Sequence, residues 1–472
     1  MRYFNLFFPV FLILIFNNIS AFASANTNSD PSGWKAGVSR VIITPDEPVW
    51  MAGYASRNRP SEGKVVDLWA KALVLQDANG NKAVLVTTDL IGFRGSYMSG
   101  RIRKRLKELH GLSDDQVILS SSHTHTGPEL MVDPDDYLYD DNLTGQHSAE
   151  HREKIISYSE NVEDKIVDIV GKALNSLEPA KVYSGQGVAR FAVNRRLHRS
   201  KTTVNELSRE LDGPVDHSVP VFKVTNSAGE LLTVVFGYAC HNTTLGIYKF
   251  SGDYAGFAQI ELEKDYPGTT AMYFAGTGAD QNPLPRGTVS YAIQYGKTLA
   301  AAVEAVISEP MKELSPVLST TFSKVELGFA NPVPTKDDLI KMINESSIPE
   351  YLIHRAKVHL SQLEKGKSLM TSYPYPVQFW KIGEQNMVIL GSEVVVDYAV
   401  RLKQIFGDDL FIMAYANEII GYIPSTRVLS EGDYEGTRSA VFTTPWAPDI
   451  EMKIVMEVIR QEKEAKSNYN QK

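Results

Sequence analysis

The sequence predicts an α/β fold built as one large domain. Short apolar runs alternate with amphipathic stretches from Val38 onward, the pattern of strands feeding helices. No linker rich in proline, glycine or serine divides the chain after residue 33. Of the 472 residues, 43% are hydrophobic, enough to bury a substantial core. Length alone would also allow two or three domains, and the missing linker favours one.

The elements follow in order. Arg2 precedes a nearly unbroken apolar run from Leu6 to Phe16, and small residues come next. Ala21-Phe22-Ala23 and Ala23-Ser24-Ala25 both fit a small-x-small cleavage site, so residues 1–25 read as a signal peptide. The run is shorter than the roughly 20 residues that cross a bilayer, which argues against a membrane anchor. The expectation is an exported protein, periplasmic or secreted, with its domain over residues 34–460. Cys240 is the only cysteine, so neither an internal disulfide nor a Cys-rich zinc site is available. The formal net charge is -8 with no basic block, which excludes nucleic acid as the expected partner.

"KAVLVTTDLIG" reads as a strand ending at Asp89, and "SGRIRKRLKELHG" as an amphipathic helix stopped by glycine. "QVILSSSHTHTGP" is a strand running into His123 and His125. "YSENVEDKIVDIVGKALNSL" has helical spacing, and "LLTVVFGYACH" is a strand ending at His241. "AGFAQIELEKDYPG" is a helix with Asp253 as its expected cap. "TAMYFAGTGADQNP" is a strand ending in a glycine-rich turn at Asp280. Residues 334–368 are lysine-rich and helical, a solvated excursion. "QNMVILGSE" is a strand ending at Glu393, "VVVDYAVRLKQIFG" a helix, and "LFIMAYANEIIGY" a strand running out at Tyr422.

Chemistry collects at these strand ends. Asp89, His123, His125, His241, Asp280, Glu393 and Tyr422 each follow an apolar run, and loops on a rigid scaffold are where sites are built. His123 and His125 are two apart, and on an extended backbone such residues share a face. Imidazole and carboxylate donors from separate strands suit a divalent metal, zinc (Zn²⁺) above all. Each residue also has a plainer reading. His241 could be a satisfied core histidine, Glu393 an acid at a helix N-terminus, and Tyr422 core packing. The residues alone leave both readings open.

Five segments in order resemble the catalytic N-terminal domain of the neutral ceramidase family. "GVSRVIITPDEPVWMAGYASR" resembles its opening segment, and "SSSHTHTGP" its His-Thr-His-Ser-Gly-Pro loop. "YACHNTTLG" resembles its second histidine segment, and "LGSEVVVDYAVRLK" its Gly-Glu turn into a helix. "GYIPSTRVLSEGDYEG" resembles its tyrosine stretch ending in Tyr-Glu-Gly. The resemblance implies mixed β-sheets sandwiched by helices, without the C-terminal immunoglobulin-like domain of full-length ceramidases. It implies a zinc ion held by His123, His241, Glu393 and Tyr422. It implies that His125 meets the reacting substrate group, with Arg195 of "FAVNRRLH" and Tyr434 of "DYEG" as donors to the developing oxyanion. The family's Asn-Arg-Ser-Pro is here "NRRLH", so Arg196 stays open as the alternative to Arg195. Glu129 and Leu130 replace glycines that follow Gly-Pro in the family, and "GADQNP" only echoes its Gly-Asp-Val-Ser-Pro-Asn turn.

The implied activity is metal-assisted hydrolysis of an N-acyl amide, taking ceramide to fatty acid and sphingoid base. The expected partner is thus a small-molecule or lipid substrate, with transient contact to a membrane surface. Two alternatives stand beside it: a zinc hydrolase of the same fold acting on another N-acyl or carbohydrate-linked substrate, and an exported binding protein without activity.

Overall fold

Apolar alternation in the first half of the chain builds a nine-stranded sheet among the described residues. The computed structural model describes Met1 and residues 33–131, 149–196, 213–348, 350–438 and 444–470, and the expected signal peptide lies outside them. The main strands are β1 (Trp34–Ile42), β2 (Trp69–Gln76), β3 (Lys82–Thr88), β4 (Val117–Ser121), β5 (Glu178–Val188), β6 (Ser218–Asn226), β7 (Leu231–Tyr238) and β8 (Thr270–Ala275). Their spatial order is β4-β3-β2-β1-β5-β6-β7-β8, and the short strand Lys312–Glu313 adds to β5. Neighbours are antiparallel except at the two ends, where β3–β4 and β7–β8 are parallel.

Parallel neighbours need a crossover. Helices α1 (Tyr97–His110), α2 (Ala149–Asn175), α3 (Asp253–Asp265) and α4 (Val289–Ile307) accompany this sheet, and α1 and α3 make the two crossovers. In α1, Met98, Ile102 and Leu106 recur every four residues and are buried. Gly111 ends that helix at φ 68°, the left-handed turn that glycine tolerates best, as the sequence predicts.

Strand periodicity decides what each face touches. Ala70, Val74, Val84 and Val86 pack on Ile102, Leu106, Ile166 and Val170 of α1 and α2. Leu73, Leu75, Leu85 and Ile118 point the other way, into a cluster shared with a second sheet. That sheet has the order β9 (Leu318–Gly328), β10 (Ser372–Ile382), β11 (Gln385–Leu390), β12 (Phe411–Met413). Its inner residues Trp380, Met387, Ile389, Phe411 and Met413 complete the shared layer. Helices α5 (Lys336–Asn344), α6 (Glu350–Glu364), α7 (Asp397–Phe406) and α8 (Ile450–Asn470) belong to this half. Tyr398 and Leu402 of α7 and Ile454 and Val458 of α8 cover its outer face. The result is the expected pair of mixed sheets between helical layers.

β11 and β12 are parallel, with α7 as their crossover. The two edges of the large sheet, β4 and β8, come into contact. The segment Ala414–Asn417 ties them: Ala414 N donates to Ala275 O at 2.9 Å, and Asn417 N donates to Leu119 O at 2.6 Å. The lysine-rich excursion forms α5 and α6, with a small core of its own at Leu339, Ala356 and Leu369.

Three expectations need correction. Asp253 does not cap α3 from outside; Gly252 holds that position, and Asp253 is the first helical residue. Its carboxylate serves instead to tie a loop, accepting from Leu245 N at 2.8 Å. The strand expected to run on to Tyr422 stops at Met413, because Tyr415 and Asn417 take φ values of 54° and 67°. His123 and His125 do not alternate on a strand either: β4 ends at Ser121, and His123 has φ 58°. A left-handed residue after the strand, not strand pleat, brings the two rings together.

Candidate metal centre

Three parallel strand pairs deliver the central residues. His123 follows β4, His241 follows β7 and Glu393 follows β11, each beyond the carboxyl end of a parallel strand, where open α/β sheets place ligands. Glu393 opens the two-residue strand Glu393–Val394, which pairs in parallel with Tyr422–Ile423. Three non-glycine residues here, His123, Ser392 and Tyr415, have positive φ, and Tyr415 N donates to Ser392 O at 3.1 Å. Such strain concentrates at functional sites.

Backbone carbonyls fix the imidazoles. His123 Nδ1 lies 2.6 Å from Ile91 O, and His241 Nδ1 lies 2.8 Å from Gly278 O. A carbonyl only accepts, so each Nδ1 carries the proton and each Nε2 carries a lone pair. Those Nε2 atoms lie 3.4 and 3.2 Å from the same oxygen, Glu393 Oε2. Two lone pairs facing one carboxylate oxygen repel, and a cation among them relieves the repulsion. The carbonyl partners are those expected behind metal-ligating histidines. The residues therefore fit a divalent metal.

His125 joins from the side. Its ring centre is 5.0 Å from that of His123 and 5.6 Å from that of His241. One nitrogen from each of the three histidines lies within 4.8 Å of the others. Both ring nitrogens of His125 are shielded from solvent and lack a hydrogen-bond partner. Tyr54 packs 4.9 Å from the ring, and Arg57 Nη2 donates to the His125 carbonyl at 2.7 Å. Gly53, at φ 99°, has to be glycine: a Cβ there would lie 2.6 Å from His125 Cγ.

Electrostatics keep the donors in their ligand forms. Burial pushes the His241 pKa down to about 4, and burial with the neighbouring histidines holds His125 well below its usual value. Burial alone would raise Glu393, but positive charge at the Nε2 edges of His123 and His241, the place a cation would take, holds its carboxyl well below the usual range. Neutral imidazole and ionised carboxylate are the forms that bind metal. Burial, with Glu393 nearby, pushes the Tyr422 phenol up.

The remaining expected residues gather beside this cluster. Arg195 Nη2 donates to the Tyr422 hydroxyl at 2.9 Å, and its guanidinium lies 5.7 and 5.8 Å from the ring centres of Tyr422 and Tyr434. Asp280 supports this arm: its carbonyl accepts from Arg195 N at 2.8 Å, and its carboxylate accepts from Asn194 Nδ2 and Val396 N at 2.9 Å each. Arg196 turns elsewhere, to Glu431, Glu435 and the Gly432 carbonyl. Of the two arginines, Arg195 is the one facing the tyrosines. Tyr434 begins a one-turn π-helix and is 53% exposed, which leaves it open to a ligand. Asp89 stays out of the cluster; it is buried and accepts from Trp69 N at 2.9 Å.

Sequence reasoning missed Tyr415 and Glu435. Tyr415 is buried with its ring 4.4 Å from His123, and its hydroxyl has no partner. Nothing local in "MAYANE" marks it. Glu435 lies in the Tyr-Glu-Gly segment, and that adjacency to Tyr434 was the available signal.

Residues 34–308 match the family model described as neutral/alkaline non-lysosomal ceramidase, N-terminal. The chain belongs to this family. Neutral ceramidase A of Dictyostelium discoideum is 28% identical over 280 residues, 57% of this chain and 37% of that protein. Neutral ceramidase of Pseudomonas aeruginosa is 24% identical over 264 residues, 54% of this chain and 37% of that protein. The chain thus spans little more than a third of the length of these curated ceramidases. The crystal structure of the Pseudomonas aeruginosa neutral ceramidase superposes with a TM-score of 0.67 at 20% identity, covering 90% of this chain and 73% of that one. A ceramidase complexed with C2 gives 0.66 at 19% identity. The ceramidase fold is shared, and among the described residues no immunoglobulin-like domain is present.

Proposed function

We propose that this ceramidase-family chain is a zinc-dependent hydrolase of an N-acyl amide, with ceramide, cleaved to fatty acid and sphingoid base, as its leading substrate. The observation that carries the reading is the convergence of the His123 and His241 Nε2 atoms on Glu393 Oε2. Tyr422, the register partner of Glu393, completes the ligand set. A bound zinc supplies Lewis-acid chemistry and makes water acidic enough to serve as a nucleophile near neutral pH.

The chain's own residues do the rest. His125 is neutral and its nitrogens are free, so it accepts the proton that the attacking water loses and passes it to the departing amine nitrogen. The Tyr434 hydroxyl and Arg195 guanidinium donate to the carbonyl oxygen as it gains charge. Tyr54 and Gly53 hold the His125 ring in place. No helix among the described residues is long and apolar enough to cross a membrane. Export through the signal peptide at residues 1–25 would bring the enzyme to lipid by transient surface contact.

The test is kcat/KM across N-acyl chains from about two to about sixteen carbons on one amine. Each buried CH₂ contributes about 0.8 kcal/mol, so a ceramidase climbs steeply with chain length. A flat profile, or preference for the shortest acyl group, replaces ceramide with a small or carbohydrate-linked substrate. Absence of zinc-dependent release from every substrate overturns the hydrolase reading.

A further inference from the structure

The Glu435 carboxylate is divided between two arginines. Oε1 accepts from Arg195 Nε at 2.7 Å, and Oε2 accepts from Arg196 Nη1 at 2.5 Å. The residue is 5% exposed, so both contacts are shielded from water. Arg196 is anchored independently, through Glu431 Oε2 at 3.1 Å and the Gly432 carbonyl at 2.9 Å. Arg195 spends different edges of its fork on different partners: Nε on Glu435 and Nη2 on the Tyr422 hydroxyl. A guanidinium is planar and rigid, so fixing Nε also fixes the direction of Nη2.

Glu435 also follows Tyr434 directly in the same π-turn, Tyr434–Arg438. Asn282 Oδ1 accepts the remaining edge, Nη1, at a longer 3.4 Å, so the Glu435 contact at 2.7 Å is the shortest hold on the Arg195 guanidinium, and it comes from the turn that carries Tyr434. The Arg195 guanidinium lies to one side of the Tyr422 and Tyr434 rings, 5.7 and 5.8 Å from their centres, and the two rings are 5.4 Å apart at 66°.

We propose that Glu435 is a positioning residue that couples Arg195 to Tyr434, holding the two donors at the spacing one substrate oxygen needs. It acts through Arg195 and its own turn and does not touch substrate. The inference rests on the oxyanion roles proposed for Arg195 and Tyr434. An ordinary buried ion pair would show the same contacts, so the test must separate placement from charge and from stability.

Glu435→Asp does this, because it keeps the charge and withdraws the carboxylate by one methylene. Arg196→Met is the control, since it removes a structural partner and leaves the Glu435–Arg195 contact. The readouts are kcat and KM on an N-acyl substrate, zinc per chain, thermal midpoint, and calorimetric affinity for octanoate, whose carboxylate stands in for the product. The expected result for Glu435→Asp is a kcat loss of about tenfold or more with KM little changed, unchanged zinc, and octanoate affinity lower by about fivefold. Arg196→Met stays within about threefold in kcat even where its midpoint falls. Equal losses in the two variants, tracking the midpoint, overturn the proposal, as does Glu435→Asp with wild-type kcat and octanoate affinity. If the wild type hydrolyses nothing but Glu435→Asp alone still weakens octanoate, the coupling stands and the hydrolase reading falls.

Discussion

Glu393 and Tyr422 are register partners across a parallel pair of two-residue strands. Glu393 N donates to Gly421 O at 3.0 Å, and Val395 N donates to Ile423 O at 3.3 Å, so the pairing of the two residues does not depend on the phenol hydroxyl. Removing the hydroxyl should leave the pairing intact. Tyr422→Phe is expected to lower zinc affinity by roughly tenfold or more while the metal-free protein keeps its thermal midpoint. Competition with a chromophoric chelator measures this, and wild-type affinity would take Tyr422 out of the ligand set.

The histidines should divide by role. His241→Ala is expected to lose zinc and activity together, since its Nε2 faces Glu393 with Nδ1 already committed to Gly278 O. His125→Ala should lose activity and keep most of the metal, as a proton carrier would. Elemental analysis of protein purified without added metal, set beside turnover, distinguishes the two. Equal metal loss in both variants would place His125 among the ligands.

Tyr434→Phe should retain fold and zinc but slow turnover. The loss of one preorganised donor to a developing oxyanion typically costs about 10²–10³ in rate. The relevant measurement is kcat at saturating substrate. A variant within about twofold of wild type would assign the oxyanion to other donors.

Acid should loosen the α5–α6 excursion first. Burial, with Arg355 adding to it, pushes the His359 pKa down to about 4. Its unfolded value is about 6.5, so between these values the unfolded segment binds more protons than the folded one. The stabilisation is fully present above about pH 6.5 and is lost as pH falls toward 4, on the order of 3 kcal/mol in all. The local core of Leu339, Ala356 and Leu369 is small enough to feel this. Hydrogen exchange should show residues 336–364 losing protection over that window, and His359→Leu should keep them protected. A pH-independent exchange pattern would show that His359 does not control the segment.

The sequence made the strand ends legible because apolar runs end abruptly at His123, His241 and Glu393. Parallel pairing then carries those ends to one place, and the order of motifs named the family. Other features depend on tertiary contacts that leave no local period. The left-handed backbone at Ser392 and Tyr415 goes with long-range hydrogen bonds, Ser392 N to Glu418 O and Tyr415 N to Ser392 O, and at His123 it follows the end of β4; none of the three is a residue type that marks such a turn. The choice between Arg195 and Arg196 depended on where Glu431 and Tyr422 lie, more than 200 positions along the chain. Asp253 looked like a cap because its loop partner, Leu245, precedes the helix and carries no signal of the contact. Asp89 ends a strand as the histidines do, yet faces Trp69 N and Gln259.

The segment Ala414–Asn417 closes the seam between β4 and β8, and it does so with Tyr415 packed against His123. An open β-edge is a template for pairing with another chain. Loosening these four residues would bare two such edges at once, since Leu119 and Ala275 lose their donors together. The candidate metal site and the two sheet edges therefore share one latch: a movement that frees Tyr415 from His123 from this side also uncovers the edges of β4 and β8.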